Sequence, residues 1–128
     1  MTRARRTPDL SDICFALSDP TRREVVALLG DAPRRASELA DALHASRPAM
    51  SRHLRILRGA AVVRDEDDAQ DGRARVIALD RTGFAALRAY LDEVDDFWST
   101  QLDSFKRVTE ARAAELSAPQ PKRRKQAG

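Results

Sequence analysis

Arginine is concentrated in one part of this 128-residue chain, and that part defines the chemistry to expect. Residues 44 to 64 contain no acidic side chain and five arginines: Arg47, Arg52, Arg55, Arg58 and Arg64. A planar guanidinium can bind a phosphate through two N–H groups or fork onto the edge of a guanine base. Each phosphate neutralised in this way also releases counterions. A compact basic stretch of this kind is typical of a surface that contacts nucleic acid.

The rest of the chain has the opposite charge. The net charge is +3, from 23 basic and 20 acidic side chains. Seven of the basic ones lie near the chain ends, at Arg3, Arg5, Arg6 and residues 122 to 125, so residues 9 to 116 carry 16 basic and 20 acidic side chains, a net charge of −4. A diffuse charge excess would serve solubility alone, whereas a basic segment within an acidic body favours a contact surface. A solvated helix face is the alternative interpretation.

Catalysis and metal binding find little support among the other reactive side chains. The chain has five glycines in all, no glycine-rich phosphate loop, and no serine, histidine and aspartate arrangement with a glycine motif. His53 has no acidic residue or cysteine at helical spacing, and Cys14 is the single cysteine, so a disulfide framework cannot form within one chain. We therefore expect no enzyme activity, no metal and no cofactor.

Two helices are predicted ahead of the basic stretch. The first runs from about residue 9 to residue 17 and stops before Pro20, because proline disfavours helix in the preceding residue. Asp19 is the expected N-cap of the second helix, with Pro20 as its first residue and Gly30 at its end.

The basic stretch itself falls on a predicted helix-turn-helix. Ser37 is the expected N-cap of a short third helix that His44 ends, and Ser46 caps a fourth helix with Pro48 in its first turn. Residues three and four apart form the buried side of this fourth helix: Met50, Leu54, Leu57 and Ala61. Two helices joined by the three residues 44 to 46 match the helix-turn-helix pattern, which favours a nucleic-acid contact surface over a solvated helix face.

A hairpin and a long helix complete the pattern. Val62 and Val63 precede an acidic loop, residues 73 to 79 alternate as a strand, and Asp71-Gly72 is expected at positive φ. A last helix runs from about Arg81 to residue 115. We predict a mainly α, winged helix-turn-helix fold of order α-α-α-α-β-β-α in one domain, residues 9–116, between disordered basic tails at 1–8 and 117–128. No membrane span or signal peptide is apparent, so a cytoplasmic location is expected.

Four sequence segments in this order resemble the ArsR (ArsR/SmtB) family of transcriptional repressors. They are Phe15-Ala-Leu-Ser-Asp-Pro-Thr-Arg-Arg-Glu-Val-Val-Ala-Leu-Leu, Ser37-Glu-Leu-Ala, Ser46-Arg-Pro-Ala-Met-Ser-Arg-His-Leu-Arg-Ile-Leu, and the Val-Val-Arg stretch within residues 59 to 64. The resemblance covers about residues 11 to 106 and implies a repressor that binds double-stranded DNA. Metal-sensing members carry cysteines on the third helix or histidine and acidic clusters on the last, and this chain is similar to a subgroup that lacks both.

The resemblance also implies which side chains read DNA. The base-reading positions of the family fall on Arg47, Pro48, Ser51 and Arg52. Arg55 and Arg58 lie nearer the helix C-terminus and are expected on phosphates. Arg73 and Arg75 of the wing are further candidates, but the acidic residues around them would repel DNA.

A surplus of apolar surface predicts a homodimer. A domain this small cannot cover the stripe of its last helix, so we expect that stripe, together with the first helix, to pair with a second copy and present two recognition helices to a palindromic operator. The expected dimer residues are Leu10, Ile13, Leu17, Leu87, Leu91, Val94, Trp98, Leu102 and Phe105.

Two alternatives stay open from the sequence. The winged domain could be a dimeric scaffold for another protein, or a redox-responsive repressor that uses Cys14. Because Cys14 stands between Ile13 and Phe15, the simpler expectation is a small buried apolar residue. No inducer is indicated by any motif.

Overall fold

Within residues 8–117, five helices and one hairpin follow each other in the order that the sequence predicts. The structure, a computed structural model, describes residues 8–117, so nearly all of both predicted tails lies outside the described residues. The elements are α1 (Leu10–Leu17), α2 (Pro20–Asp31), α3 (Ala36–Ala42), α4 (Arg47–Gly59), β1 (Val63–Asp67), β2 (Arg75–Leu79) and α5 (Arg81–Ser117). None of the helices in this part of the chain is both long and apolar enough to cross a membrane.

Two of the three predicted helix caps are confirmed. The side chain of Asp19 accepts a hydrogen bond from the backbone N–H of Arg22 at 3.0 Å, and that of Ser46 accepts one from Ala49 N–H at 3.2 Å. The predicted cap at Ser37 is wrong, because α3 begins at Ala36 and its N-cap is the extended Arg35, two residues earlier, which supplies no side-chain cap. The residue before it, Arg34, is held in extended conformation by pairing with β2, so the helix can start only after this pairing ends.

The core lies in the first of two compact units into which contacts divide the chain, Met1–Tyr90 and Leu91–Gly128. Apolar side chains from α1 to α4 and from the hairpin form one cluster, in which Met50, Leu54 and Leu57 are buried as predicted. Ala61 is not part of the buried side of α4, because the helix ends at Gly59 and Ala61 follows it in left-handed conformation with a φ of 54°.

Two expectations for α1 need correction. Cys14 is exposed, not buried, because the inward positions of this short helix are Ile13 and Ala16, and Cys14 lies about 100° further round the helix from Ile13. Ile13 is fully buried in the core of its own chain and so has no surface left for a partner. It is therefore removed from the expected dimer surface.

The hairpin is the wing, and it is anchored on a third segment. β1 and β2 pair antiparallel, from Val63 opposite Leu79 to Asp67 opposite Arg75. Arg34 then pairs with Ile77 on the other edge of β2, with N to O distances of 3.0 and 2.7 Å. Gly72 is not at positive φ, since no glycine among residues 8–117 is. The turn is closed instead by Asp71, whose carboxylate accepts from the Arg73 N–H at 3.1 Å.

The first turns of α5 pack closely on the turn between α4 and β1. The N–H of Gly83 donates to the carbonyl of Ala61 at 2.8 Å, and a Cβ at Gly83 would lie 2.5 Å from the carbonyl oxygen of Ala60. Only glycine permits this approach. From Leu91 to Ser117 the same helix forms the described part of the second unit.

Candidate nucleic-acid interface

Helix α4 separates its side chains into a buried and an exposed face. Its three buried residues, Met50, Leu54 and Leu57, are spaced four and three residues apart. This spacing places them on one side of the helix, which packs into the core. The side chains predicted to read or contact DNA all lie on the exposed face: Arg47, Pro48, Ser51, Arg52, Arg55 and Arg58.

The arginines of this face differ in their partners. Within residues 8–117, Arg47, Arg52 and Arg55 make no ion pair or side-chain hydrogen bond, so their donors are available to a ligand. Arg58, in contrast, donates to one carboxylate oxygen of Asp65 on β1, from Nε at 3.2 Å and from Nη2 at 2.9 Å. Three guanidinium groups without a partner in residues 8–117 therefore lie on one helix face, where they can bind an anion.

The wing is acidic, but several of its carboxylates are occupied. Glu66 accepts from Arg64 of the same strand at 2.6 Å, and Asp68 pairs with Arg35 at 3.2 Å. The pKa of Asp68 lies below its usual value, first because the backbone N–H of Gln70 donates to it and then because Arg35 does. These arginine partners reduce the repulsion of DNA by the wing that the sequence indicates.

The two wing arginines are exposed but differently placed. Arg73 lies in the turn after β1, and Arg75 begins β2 opposite Asp67. Arg75 shares a shallow surface cleft of about 350 Å³ with Asp65, Glu66 and Asp67. A phosphate approaching Arg75 therefore meets three acidic residues, of which Asp65 is paired with Arg58 and Glu66 with Arg64.

A buried arginine behind α4 was missed by sequence reasoning. The guanidinium of Arg22 donates to the last carbonyls of α1, from Nε to Ala16 at 2.7 Å and from Nη2 to Phe15 at 3.0 Å. Its Nη1 lies 3.3 Å from Nδ1 of His53 on α4. The sequence does place this arginine directly after Asp-Pro-Thr, in the first turn of α2. A charged residue in the first turn of a helix does not by itself indicate burial.

The carboxylate of Asp19 completes this cluster. Its pKa is lowered, first by the hydrogen bond from the backbone N–H of Arg22 and further by the charges of the Arg22 side chain and of His53. Oδ2 of Asp19 lies 3.9 Å from Nδ1 of His53. Arg22 therefore connects α1, α2 and the helix that carries the free arginines, and it reaches that helix at His53.

The second unit exposes an apolar stripe. Leu91, Trp98, Leu102 and Phe105 are 54 to 70% exposed, Val94 is half-buried, and Trp98 packs edge-on against Phe97 with ring centres 5.9 Å apart. Of the other expected dimer residues, Leu10, Leu17 and Leu87 are half-buried in the first unit. Among residues 8–117 no three metal-ligating side chains are grouped so that they could hold an ion.

The fold and this basic helix face define a winged helix-turn-helix DNA-binding domain. Residues 19–65 match the family model described as bacterial regulatory protein, arsR family. The HTH-type transcriptional regulator Rv2034 of Mycobacterium tuberculosis is 42% identical over 106 residues, which cover 83% of this chain and 92% of the relative. The transcriptional repressor SdpR of Bacillus subtilis is 36% identical over 61 residues, 48% of this chain and 68% of the relative.

A solved structure agrees with these sequence relatives. An ArsR-like transcriptional regulator from Rhodococcus sp. RHA1 superposes with a TM-score of 0.68 at 29% identity, covering 80% of this chain and 91% of that one. The chain belongs to the arsR family of bacterial regulatory proteins, and it is a transcriptional regulator with a winged helix-turn-helix fold.

Proposed function

We propose that this regulator is a cytoplasmic homodimeric repressor that binds a palindromic operator in double-stranded DNA, with α4 in the major groove. The observation that carries the proposal is the outward face of α4, where Arg47, Arg52 and Arg55 have no ion-pair partner within residues 8–117. A cationic face with unsatisfied donors beside a buried apolar face is what major-groove recognition requires.

Each side chain of this face then has a distinct role. Arg47 and Arg52 fork onto guanine edges, and Ser51 and Pro48 contact neighbouring base edges. Arg55 and Arg58 bind phosphates and so fix the register of the helix on the duplex. Arg73 and Arg75 of the wing also contact phosphates. Phosphate contacts carry no sequence information by themselves.

The dimer is proposed from the apolar stripe of α5. An exposed run of large apolar side chains on a helix needs a partner surface, and a second copy of the same helix offers a matching one. Two recognition helices held in this way would meet half-sites about one helical turn apart. The repressor role is proposed from the similarity to SdpR, which is a repressor.

DNA binding is tested by gel shift on duplex DNA from the region upstream of the protein's own coding sequence. We expect Arg47→Ala and Arg52→Ala to weaken binding by about 10- to 100-fold each, the range for a lost bidentate base contact. Arg88→Ala is the matched control, because Arg88 is an exposed arginine on α5 without an ion pair in the described residues.

The outcome decides between two classes of protein. Binding that falls steeply with salt, and that the α4 variants but not the control weaken, supports the repressor. A protein that binds no duplex even at low salt would instead be a scaffold for another protein. Equal effects of all three variants would mean that α4 does not read the bases.

The oligomeric state is tested by sedimentation. Wild type should sediment at about twice the 14.2 kDa of one chain, and Trp98→Ala with Phe105→Ala should shift it towards the monomer. Gln101→Ala, an exposed polar position on the same helix, is the control. A wild-type protein that is monomeric at micromolar concentration refutes the dimer.

A further inference from the structure

The ion pair between Arg58 and Asp65 joins the end of the recognition helix to the wing. Arg58 is in the last turn of α4 and Asp65 is on β1, and Nε and Nη2 of the arginine point at the same carboxylate oxygen. Both side chains are accessible, at 40 and 34% exposure. The pair therefore lies at the surface, where another anion can reach it.

Arg58 differs in this respect from the other arginines of the same face. Residues 51, 55 and 58 follow at helical spacing along one side of α4, so Arg58 belongs to the stripe that is proposed to meet DNA. The Nε and Nη2 edge of a guanidinium is an edge that binds a phosphate through two parallel hydrogen bonds. In the free protein this edge is occupied by Asp65, whereas Arg55 has no such partner within residues 8–117.

We propose that Asp65 competes with the DNA backbone for Arg58, so that the wing restrains DNA binding from within the same chain. The proposal rests on the proposed function, in which Arg58 binds a phosphate. For that contact to form, the Arg58–Asp65 pair must open, and Asp65 then remains as an uncompensated negative charge near the duplex.

This competition affects affinity and not sequence preference. The phosphate contact is the same at every sequence, so opening the ion pair weakens binding to an operator and to any other duplex by the same factor. Discrimination stays with Arg47 and Arg52, which have no competing carboxylate within residues 8–117. The wing thus lowers operator binding and non-specific binding together, without changing the sequence that is read.

The test compares two substitutions of the same kind on one strand. Asp65→Asn removes the carboxylate that holds Arg58. Asp67→Asn removes the same charge two residues along β1, on the same side of the strand, from a residue without an ion pair in the described chain. Affinities of both variants are measured by fluorescence anisotropy on the upstream duplex and on a random-sequence duplex of equal length, over a series of salt concentrations.

We expect Asp65→Asn to raise affinity about two- to fivefold more than Asp67→Asn, on both duplexes, which is the range measured for exposed ion pairs. In an Arg58→Ala background the two substitutions should have equal effects, and Arg58→Ala alone should make the slope of log affinity against log salt shallower by about 0.9. Thermal melting checks that each variant is folded.

The possible results separate the two proposals. Equal affinities of Asp65→Asn and Asp67→Asn in a protein that binds DNA overturn the competition and leave the proposed function intact. A lower affinity of Asp65→Asn means that Asp65 orients Arg58 towards the phosphate, which also overturns it. A wild-type protein that binds neither duplex refutes the proposed function and this inference together.

Discussion

Replacing Gly83 by alanine should destabilise the winged domain, although alanine is the better helix former. Gly83 lies in the first turn of α5, and the new Cβ would lie 2.5 Å from the carbonyl oxygen of Ala60, 2.7 Å from that of Ala61 and 3.0 Å from the carbonyl carbon of Ala61. These are backbone atoms of a turn that is itself held by hydrogen bonds to Ile56, Leu57 and Arg58. They cannot rotate away as a side chain would, so α5 or the turn must shift.

The expected change in the free energy of unfolding combines one stabilising contribution and two destabilising ones. Alanine is favoured over glycine in a helix interior by about 1 kcal/mol. Overpacking against a fixed neighbour costs about 1–3 kcal/mol, and weakening the hydrogen bond from Gly83 N–H to Ala61 costs about 1 kcal/mol more. We therefore expect Gly83→Ala to lower the free energy of unfolding by about 1–3 kcal/mol.

Gly30 provides the matched control for this substitution. It lies near the end of α2, and a Cβ there would meet no atom within 4 Å. Gly30→Ala should therefore stabilise the protein, by up to about 1 kcal/mol. Urea denaturation followed by circular dichroism measures both changes. If both substitutions stabilise to a similar degree, the close approach of α5 to the turn is not as described, and the reasoning fails.

Three further predictions concern the cluster behind α4 and the chain end. Because the pKa of Asp19 is lowered in the folded protein, its stabilising contribution is present above the usual value of 3.8 and is lost as pH falls through the folded value. Melting temperatures measured down to about pH 3 should accordingly fall less in Asp19→Asn than in wild type. Arg22→Met removes the Nε donor from the Ala16 carbonyl and one donor from the Phe15 carbonyl, which keeps its hydrogen bonds from Ser18, and should cost about 1–3 kcal/mol in urea denaturation; a loss below about 0.5 kcal/mol would contradict the buried network. Removing residues 117–128, with four basic side chains, should lower affinity for all duplexes by a similar factor, whereas a loss confined to the operator would contradict a non-specific role.

The order of elements was predictable because local signals agreed with the tertiary structure. Asp19 and Ser46 precede proline-containing first turns, and the spacing of Met50, Leu54 and Leu57 defines one face of α4. The outward position of the basic side chains on that helix follows from the same spacing. The family resemblance from the sequence is likewise confirmed by the comparisons.

The errors occur where distant segments decide the local conformation. The start of α3 depends on the pairing of Arg34 with β2, which is 43 residues further along the chain. The exposure of Cys14 depends on how a helix of only eight residues is rotated against the core, and its neighbours in sequence do not indicate that rotation. His53, one partner of Arg22, lies 31 residues from it, and Asp65 lies 7 residues from Arg58 on a different element, so only the folded chain brings these side chains together.

Both ends of α4 are marked by residues in left-handed conformation, His44 before it and Ala61 after it, with φ values of 52° and 54°. Neither is glycine, so each is conformationally costly and persists because its surroundings hold it. Because α4 lies between these two constrained turns and its buried residues hold it against the core, the proposed function implies that other side chains at positions 47, 51 and 52 would change the DNA sequence that is read without altering the scaffold.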